Sequence, residues 1–225
     1  MTMIEQFHRL LLPLLAAFAV ACTGANSAAT EDGANGVASA HEATGHEDHA
    51  GALDGDAMEP ATDMGSLHDL DMRWRDQHAA ERTLSEVADR PVVMAMVYTS
   101  CIHTCPLIMA DLKQIEGGLA EDVRDSVRFV LVSLDPERDT PEKLALFATD
   151  SRLDPDRWTL LTGDEMDVRM LAAALGVRYR AGAGDDIDHT NAITIVDASG
   201  GIVYQQRGVG GGTEAALRAV TALLH

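Results

Sequence analysis

The sequence predicts an α/β domain: a central mixed sheet flanked by helices, with a terminal β-hairpin and a closing helix. Three observations carry this expectation. Val92 to Tyr98 and Val127 to Leu134 are nearly unbroken apolar runs, as in strands covered on both faces, whereas a half-exposed strand alternates. Between them, Pro106 to Leu119 has helical periodicity, which makes a strand–helix–strand unit. Near the C-terminus, Asn191 to Val196 and Ile202 to Gln206 face each other across Asp197-Ala198-Ser199-Gly200-Gly201, a hairpin, and Thr213 to Leu224 reads as the last helix.

The 225 residues leave room for one substantial domain and extensions. A formal net charge of -19 argues against nucleic acid as a partner and against electrostatic binding to an anionic membrane. Residues 1–21 read as an export signal: a short n-region ends at Arg9, and Leu10 to Val20 is apolar apart from one proline. This run is too short to span a bilayer as a helix. Ala19-Val20-Ala21 suits an ordinary A-x-A cleavage site, while the whole segment resembles a bacterial lipoprotein signal with Cys22 as the lipidated residue. The second processing predicts an exported, periplasm-facing, membrane-anchored protein, and it leaves Cys101 and Cys105 as the only thiols of the exported part.

Residues 22–65 contain no Lys or Arg and hardly any large apolar side chain, so a disordered acidic linker is expected. It carries His41, His46 and His49, followed by Met58 and Met64, a mixture that suits either a loose metal-collecting segment or a solvated tether. The folded domain is expected over residues 66–225. Leu67 to Trp74 alternates as a half-buried strand would, and Asp76-Gln77-His78 reads as a turn leading to Arg82-Thr83-Leu84.

The next element, Val92 to Tyr98, runs into Thr99-Ser100-Cys101-Ile102-His103-Thr104-Cys105-Pro106, where strand becomes helix. Residues four apart in near-helical backbone have Cα atoms roughly 6 Å apart, close enough for a disulfide or for one small metal ion. A thiolate at a helix N-terminus is stabilised by the unpaired N–H groups, which favours both nucleophilicity and binding of soft ions such as Cu(I) or Zn(II). A plain staple is a weaker reading, because the pair closes almost no loop. Redox and metal chemistry both stay open on these residues alone.

Beyond the second apolar strand, Thr140 and Pro141 form a helix start reaching to about Thr149. Trp158 to Leu161 reads as a short strand, and Asp164 caps a helix that ends at Gly176. This order of elements matches the thioredoxin-like plan, in which the loop before the hairpin faces the reactive cysteines. Ordinary thioredoxins keep a cis-proline there. Here the loop reads Ile187-Asp188-His189-Thr190-Asn191, with no proline. His189 is thereby expected beside Cys101 and Cys105, a two-sulfur, one-nitrogen set that suits Cu(I) and can be extended for Cu(II).

Three spaced motifs resemble the Sco/SenC copper chaperones of cytochrome c oxidase assembly: Tyr98-Thr99-Ser100-Cys101 through Cys105-Pro106, Val130 through Asp135-Pro136-Glu137-Arg138-Asp139-Thr140-Pro141, and Asp188-His189-Thr190-Asn191. The resemblance implies a membrane-tethered domain that binds copper through Cys101, Cys105 and His189. Its implied acceptors are the binuclear copper site of oxidase subunit II or another copper chaperone. It also implies Asp135 in the second shell, orienting His189 or meeting the partner. Many members have proline after the first cysteine, where this chain has Ile102; His103 in the same loop could tune the thiolates or offer an alternative ligand. The rival activity is that of a thiol-disulfide oxidoreductase or a peroxiredoxin-like reductase, for which the Cys101–Cys105 pair alone suffices.

Overall fold

The computed structural model describes residues 65–225 except 183 and 185. The export signal, Cys22, and the linker residues His41, His46, His49, Met58 and Met64 lie outside the described residues. Nine strands and five helices are described: β1 Trp74–Asp76, β2 Glu81–Arg82, α1 Leu84–Val87, β3 Val92–Val97, α2 Cys105–Gly118, β4 Arg128–Ser133, α3 Pro141–Asp150, β5 Trp158–Gly163, α4 Glu165–Ala174, β6 Tyr179–Ala181, β7 Ile187–His189, β8 Ala192–Val196, β9 Ile202–Arg207 and α5 Glu214–Ala222. Seven strands form a mixed sheet in the order β2-β1-β5-β4-β3-β8-β9, and β6 with β7 forms a separate two-stranded ribbon.

The two apolar runs lie where their composition demands. In β3 and β4, paired parallel at the centre, nearly every side chain is buried. Alternate residues of β3 enter two cores: Met94 and Met96 pack with Val168 and Leu171 of α4, and Val93 and Ala95 pack with Ile108 and Leu112 of α2. Both faces are therefore dry, which is why neither strand alternates. α3 and α5 add Leu144, Ala216 and Val220 to the α2 face. Among the described residues, no helix is long and apolar enough to cross a membrane.

The predicted helix starts match the observed ones closely. Thr140 caps α3 by accepting from the Lys143 N–H, and Asp164 caps α4 through the Asp167 N–H. The Leu67–Trp74 expectation is corrected. Leu67–Asp69 is a single 3₁₀ turn capped by Ser66, and ladder pairing begins only at Trp74. Met72 and Trp74 are buried while Asp71 and Arg73 are exposed, so the alternation reports burial correctly, but among the described residues no strand pairs with this segment before Trp74. The Leu67 N–H instead bonds the Gly200 carbonyl of the β8–β9 turn. Gly200 needs its freedom there: φ is +83° and an added Cβ would lie 2.3 Å from Ser66 Oγ.

Candidate metal centre

The site is assembled from two places. Cys101 lies in the turn after β3, its N–H bonded to the Tyr98 carbonyl at 3.2 Å, and Cys105 is the first residue of α2. Thr104 precedes the helix without a side-chain cap, so first-turn N–H groups are left to other acceptors. One of them, on Cys105, points at Cys101 Sγ at 3.4 Å. His189 comes from the end of β7, whose register pairs it with Tyr179 of β6.

The sulfurs of Cys101 and Cys105 and an imidazole nitrogen of His189 all lie within 4.8 Å of one another. Cys105 is 2 % exposed, while Cys101 is half-buried. Both are free thiols. Their electrostatics differ sharply. Burial works against ionisation of Cys101, but hydrogen bonds from the Cys105 thiol and N–H and from the His103 N–H outweigh it and bring its pKa to about 7. Burial pushes the Cys105 thiol up, and its hydrogen bond to Cys101 adds to the shift. Burial also lowers the pKa of His189 against the opposing pull of the Thr190 carbonyl and Asp186. Near neutral pH the site thus holds a Cys101 sulfur that is about half thiolate, a Cys105 thiol and a neutral imidazole, and binding an ion displaces the protons left on the sulfurs.

His189 Nδ1 lies 3.4 Å from the Thr190 carbonyl, and its buried Nε2 has no hydrogen-bond partner among the described residues. A buried nitrogen without a partner costs free energy unless something else satisfies it. The two soft sulfurs nearby are what a soft cation needs in company with that nitrogen. The donor set fits such an ion.

The surrounding acids each hold a different segment. The Asp135 carboxylate accepts from Arg138 Nε at 2.5 Å, and its own N–H bonds Ser133 Oγ at 2.9 Å. The acid that touches the cysteine turn is Asp139, fully buried, which accepts from the Thr99 N–H at 3.0 Å and from the Thr99 and Ser133 hydroxyls. The acid next to the His189 ribbon is Asp186, which accepts from the Tyr98 hydroxyl. The His103 side chain is exposed, and what reaches Cys101 is its backbone N–H. Sequence reading passed over Tyr98, Asp139 and Asp186. Asp139 stands four residues beyond Asp135 in a motif already noticed, so its recurrence there was an available signal; nothing local distinguishes Asp186.

Residues 63–225 match the family model described as SCO1/SenC. The chain belongs to this family. Among SCO1/SenC relatives, the mitochondrial human protein SCO2 homolog is 30 % identical over 146 residues, covering 62 % of this chain and 52 % of that protein. The SCO1 protein homolog of Bacillus subtilis (strain 168) is 28 % identical over 116 residues, 50 % of this chain and 60 % of that one. The chain therefore spans little more than half the length of these curated relatives. The fold is shared with Bradyrhizobium japonicum ScoI, solved with copper bound: the TM-score is 0.57 at 22 % identity, over 68 % of this chain and 96 % of the other. The thioredoxin-like expectation holds, with one addition. The facing segment is a strand, β7, held in a ribbon with β6, where the sequence suggested a loop.

Proposed function

We propose that this chain is a copper carrier in which Cys101, Cys105 and His189 hold the ion, for delivery to the binuclear copper site of cytochrome c oxidase subunit II or to another copper chaperone. The observation that carries the reading is the convergence of two thiols and an imidazole nitrogen of His189 within 4.8 Å, from segments more than 80 residues apart. Membership of the SCO1/SenC family and the copper bound to ScoI of B. japonicum support the choice of ion. The acceptor rests on the family resemblance of the three motifs.

The residues divide the task. Cys101, about half ionised at pH 7, offers the entering ion a ready thiolate; Cys105 releases its proton to solvent as its sulfur binds; His189 completes the set without a protonation cost. Transfer proceeds by stepwise replacement of these donors by those of the acceptor. A disulfide between Cys101 and Cys105 consumes both sulfurs, so the redox state of the pair gates loading. The Leu10–Val20 segment and the Ala19-Val20-Ala21-Cys22 sequence support export and a lipid tether that faces the site to the periplasm.

Anaerobic titration of the reduced chain with Cu(I) against a competing chelator tests the assignment. One tight equivalent is expected, and His189→Ala should weaken it by at least the 10- to 100-fold that loss of an outer-sphere partner already costs, on the order of magnitude typical of metal sites. Unchanged affinity in that variant sinks the ligand assignment. A second reading, a thiol-disulfide oxidoreductase, is favoured by the low pKa of Cys101 beside a buried second thiol. Catalytic turnover in an insulin-reduction assay that persists in His189→Ala would select it over the carrier.

A further inference from the structure

We propose that the Tyr98 hydroxyl is a latch that holds the β6–β7 ribbon over the cysteine turn, making Tyr98 the positioning residue for the third donor. Its functional consequence rests on the copper reading above; the latch itself is a property of the metal-free chain.

The need for a latch follows from the topology. A two-stranded ribbon is at best marginally stable by itself, and β6–β7 hydrogen-bonds to neither edge of the seven-stranded sheet. Its three-residue strands nevertheless place His189 within 4.8 Å of both sulfurs. The imidazole is held only loosely from within the ribbon, by the 3.4 Å approach of Nδ1 to the Thr190 carbonyl. Ile187 and Tyr179 pack against the cores, and a directional contact from outside the ribbon is what fixes the imidazole.

Tyr98 does so at three points. Its hydroxyl donates to Asp186 Oδ1 and accepts from the Ile187 N–H at 3.2 Å, a two-point grip on the start of β7. Its ring meets the His189 ring edge-on, with centroids 5.8 Å apart and planes at 77°. The same residue grips the other half of the site, because its carbonyl accepts from the Cys101 N–H and its neighbour Thr99 is bound by Asp139. Tyr98 is 2 % exposed, so solvent competes little for these bonds. One side chain therefore couples two segments separated by 88 residues. A phenylalanine here would keep the packing and lose the grip, which separates the hydroxyl's role from that of the ring.

The test uses the reduced full chain with Tyr98→Phe, Asp186→Ala and the conservative Asp186→Asn, which keeps an acceptor oxygen. In the metal-free protein, amide hydrogen exchange at Ile187, followed by NMR, should accelerate about tenfold in Asp186→Ala, which loses one hydrogen bond, at least as much in Tyr98→Phe, which loses two, and much less in Asp186→Asn. Cu(I) affinity should fall by about the same factor in Tyr98→Phe, with no further loss when His189→Ala is already present. Unchanged Ile187 exchange in Tyr98→Phe overturns the latch whatever copper does. An equal loss of affinity with and without His189 means that Tyr98 acts through the cysteine turn and overturns the positioning role. If wild-type copper binding does not depend on His189, the carrier reading fails, and the exchange measurement still decides the latch. Should Tyr98→Phe fold poorly, Asp186→Ala gives the same readout from the other partner.

Discussion

Cys101 should be the reactive thiol of this protein, with a pH profile centred near neutrality. Its pKa of about 7 leaves about half of it ionised at pH 7, against about 3 % of an ordinary cysteine titrating at about 8.5. That is an advantage of roughly 16-fold in thiolate population. It is partly cancelled, because a thiolate of lower pKa is intrinsically a weaker nucleophile, by about four- to sixfold over this interval. The net expectation at pH 7 is alkylation about three- to fourfold faster than a model thiol, and above about pH 8 the order reverses as ordinary thiolates become populated. The assay is iodoacetamide modification of the reduced, metal-free chain from pH 5 to 10, with each cysteine quantified by mass spectrometry. Cys105, 2 % exposed and with its pKa raised by burial, should stay unmodified throughout the range in the folded protein. A Cys101 midpoint at or above 8.5, or faster labelling of Cys105, would refute the argument that the N–H groups at the start of α2 stabilise the Cys101 thiolate. The sign for stability follows from the same shift. The folded pKa lies below the unfolded one, so this group stabilises the fold fully above about pH 8.5 and loses that contribution as pH falls through about 7.

Two further substitutions probe what supports the site. Asp139→Ala should cost about 1–3 kcal/mol in urea unfolding, because the buried Thr99 and Ser133 donors lose their acceptor, and it should also weaken Cu(I) binding by freeing the turn that leads into Cys101; stability lost with affinity unchanged would show that Asp139 serves the fold alone. Phe129→Ala removes a fully buried ring stacked on Trp158 at 4.7 Å and should cost about 3–5 kcal/mol, read by the same unfolding titration, with Cys101 reactivity in the remaining folded protein unaltered.

Much of the fold is local information, and it was legible. The strands β3 and β4 announce themselves as unbroken apolar runs because both faces are covered, and α3 and α4 begin at Thr140 and Asp164 because a side-chain oxygen there satisfies an orphan N–H in the first turn. The Cys-x-x-x-Cys pair at a strand-to-helix junction also carries its chemistry on its face, since the helix N-terminus that lowers a thiol pKa is defined by the next few residues. Misreadings arose where a neighbour in space decides. Leu67 to Trp74 shows a burial alternation without a strand, since ladder pairing depends on a partner, β5, that lies far along the chain. The β6–β7 ribbon is three residues on each side, too short for periodicity to reveal.

The sequence by itself therefore determined the family, the layered architecture and the three side chains that converge at the site, because each is written in a contiguous motif. Tertiary structure alone decided which acid holds which part of the site. Asp139 rather than Asp135 binds the cysteine turn, and Asp186 meets Tyr98 across 88 residues, because a carboxylate's partner is chosen by where the folded sheet brings donors together. The same holds for ionisation: Cys101 and Cys105 are chemically identical in the chain, and only burial and the direction of the first-turn N–H groups make one a thiolate and the other a thiol.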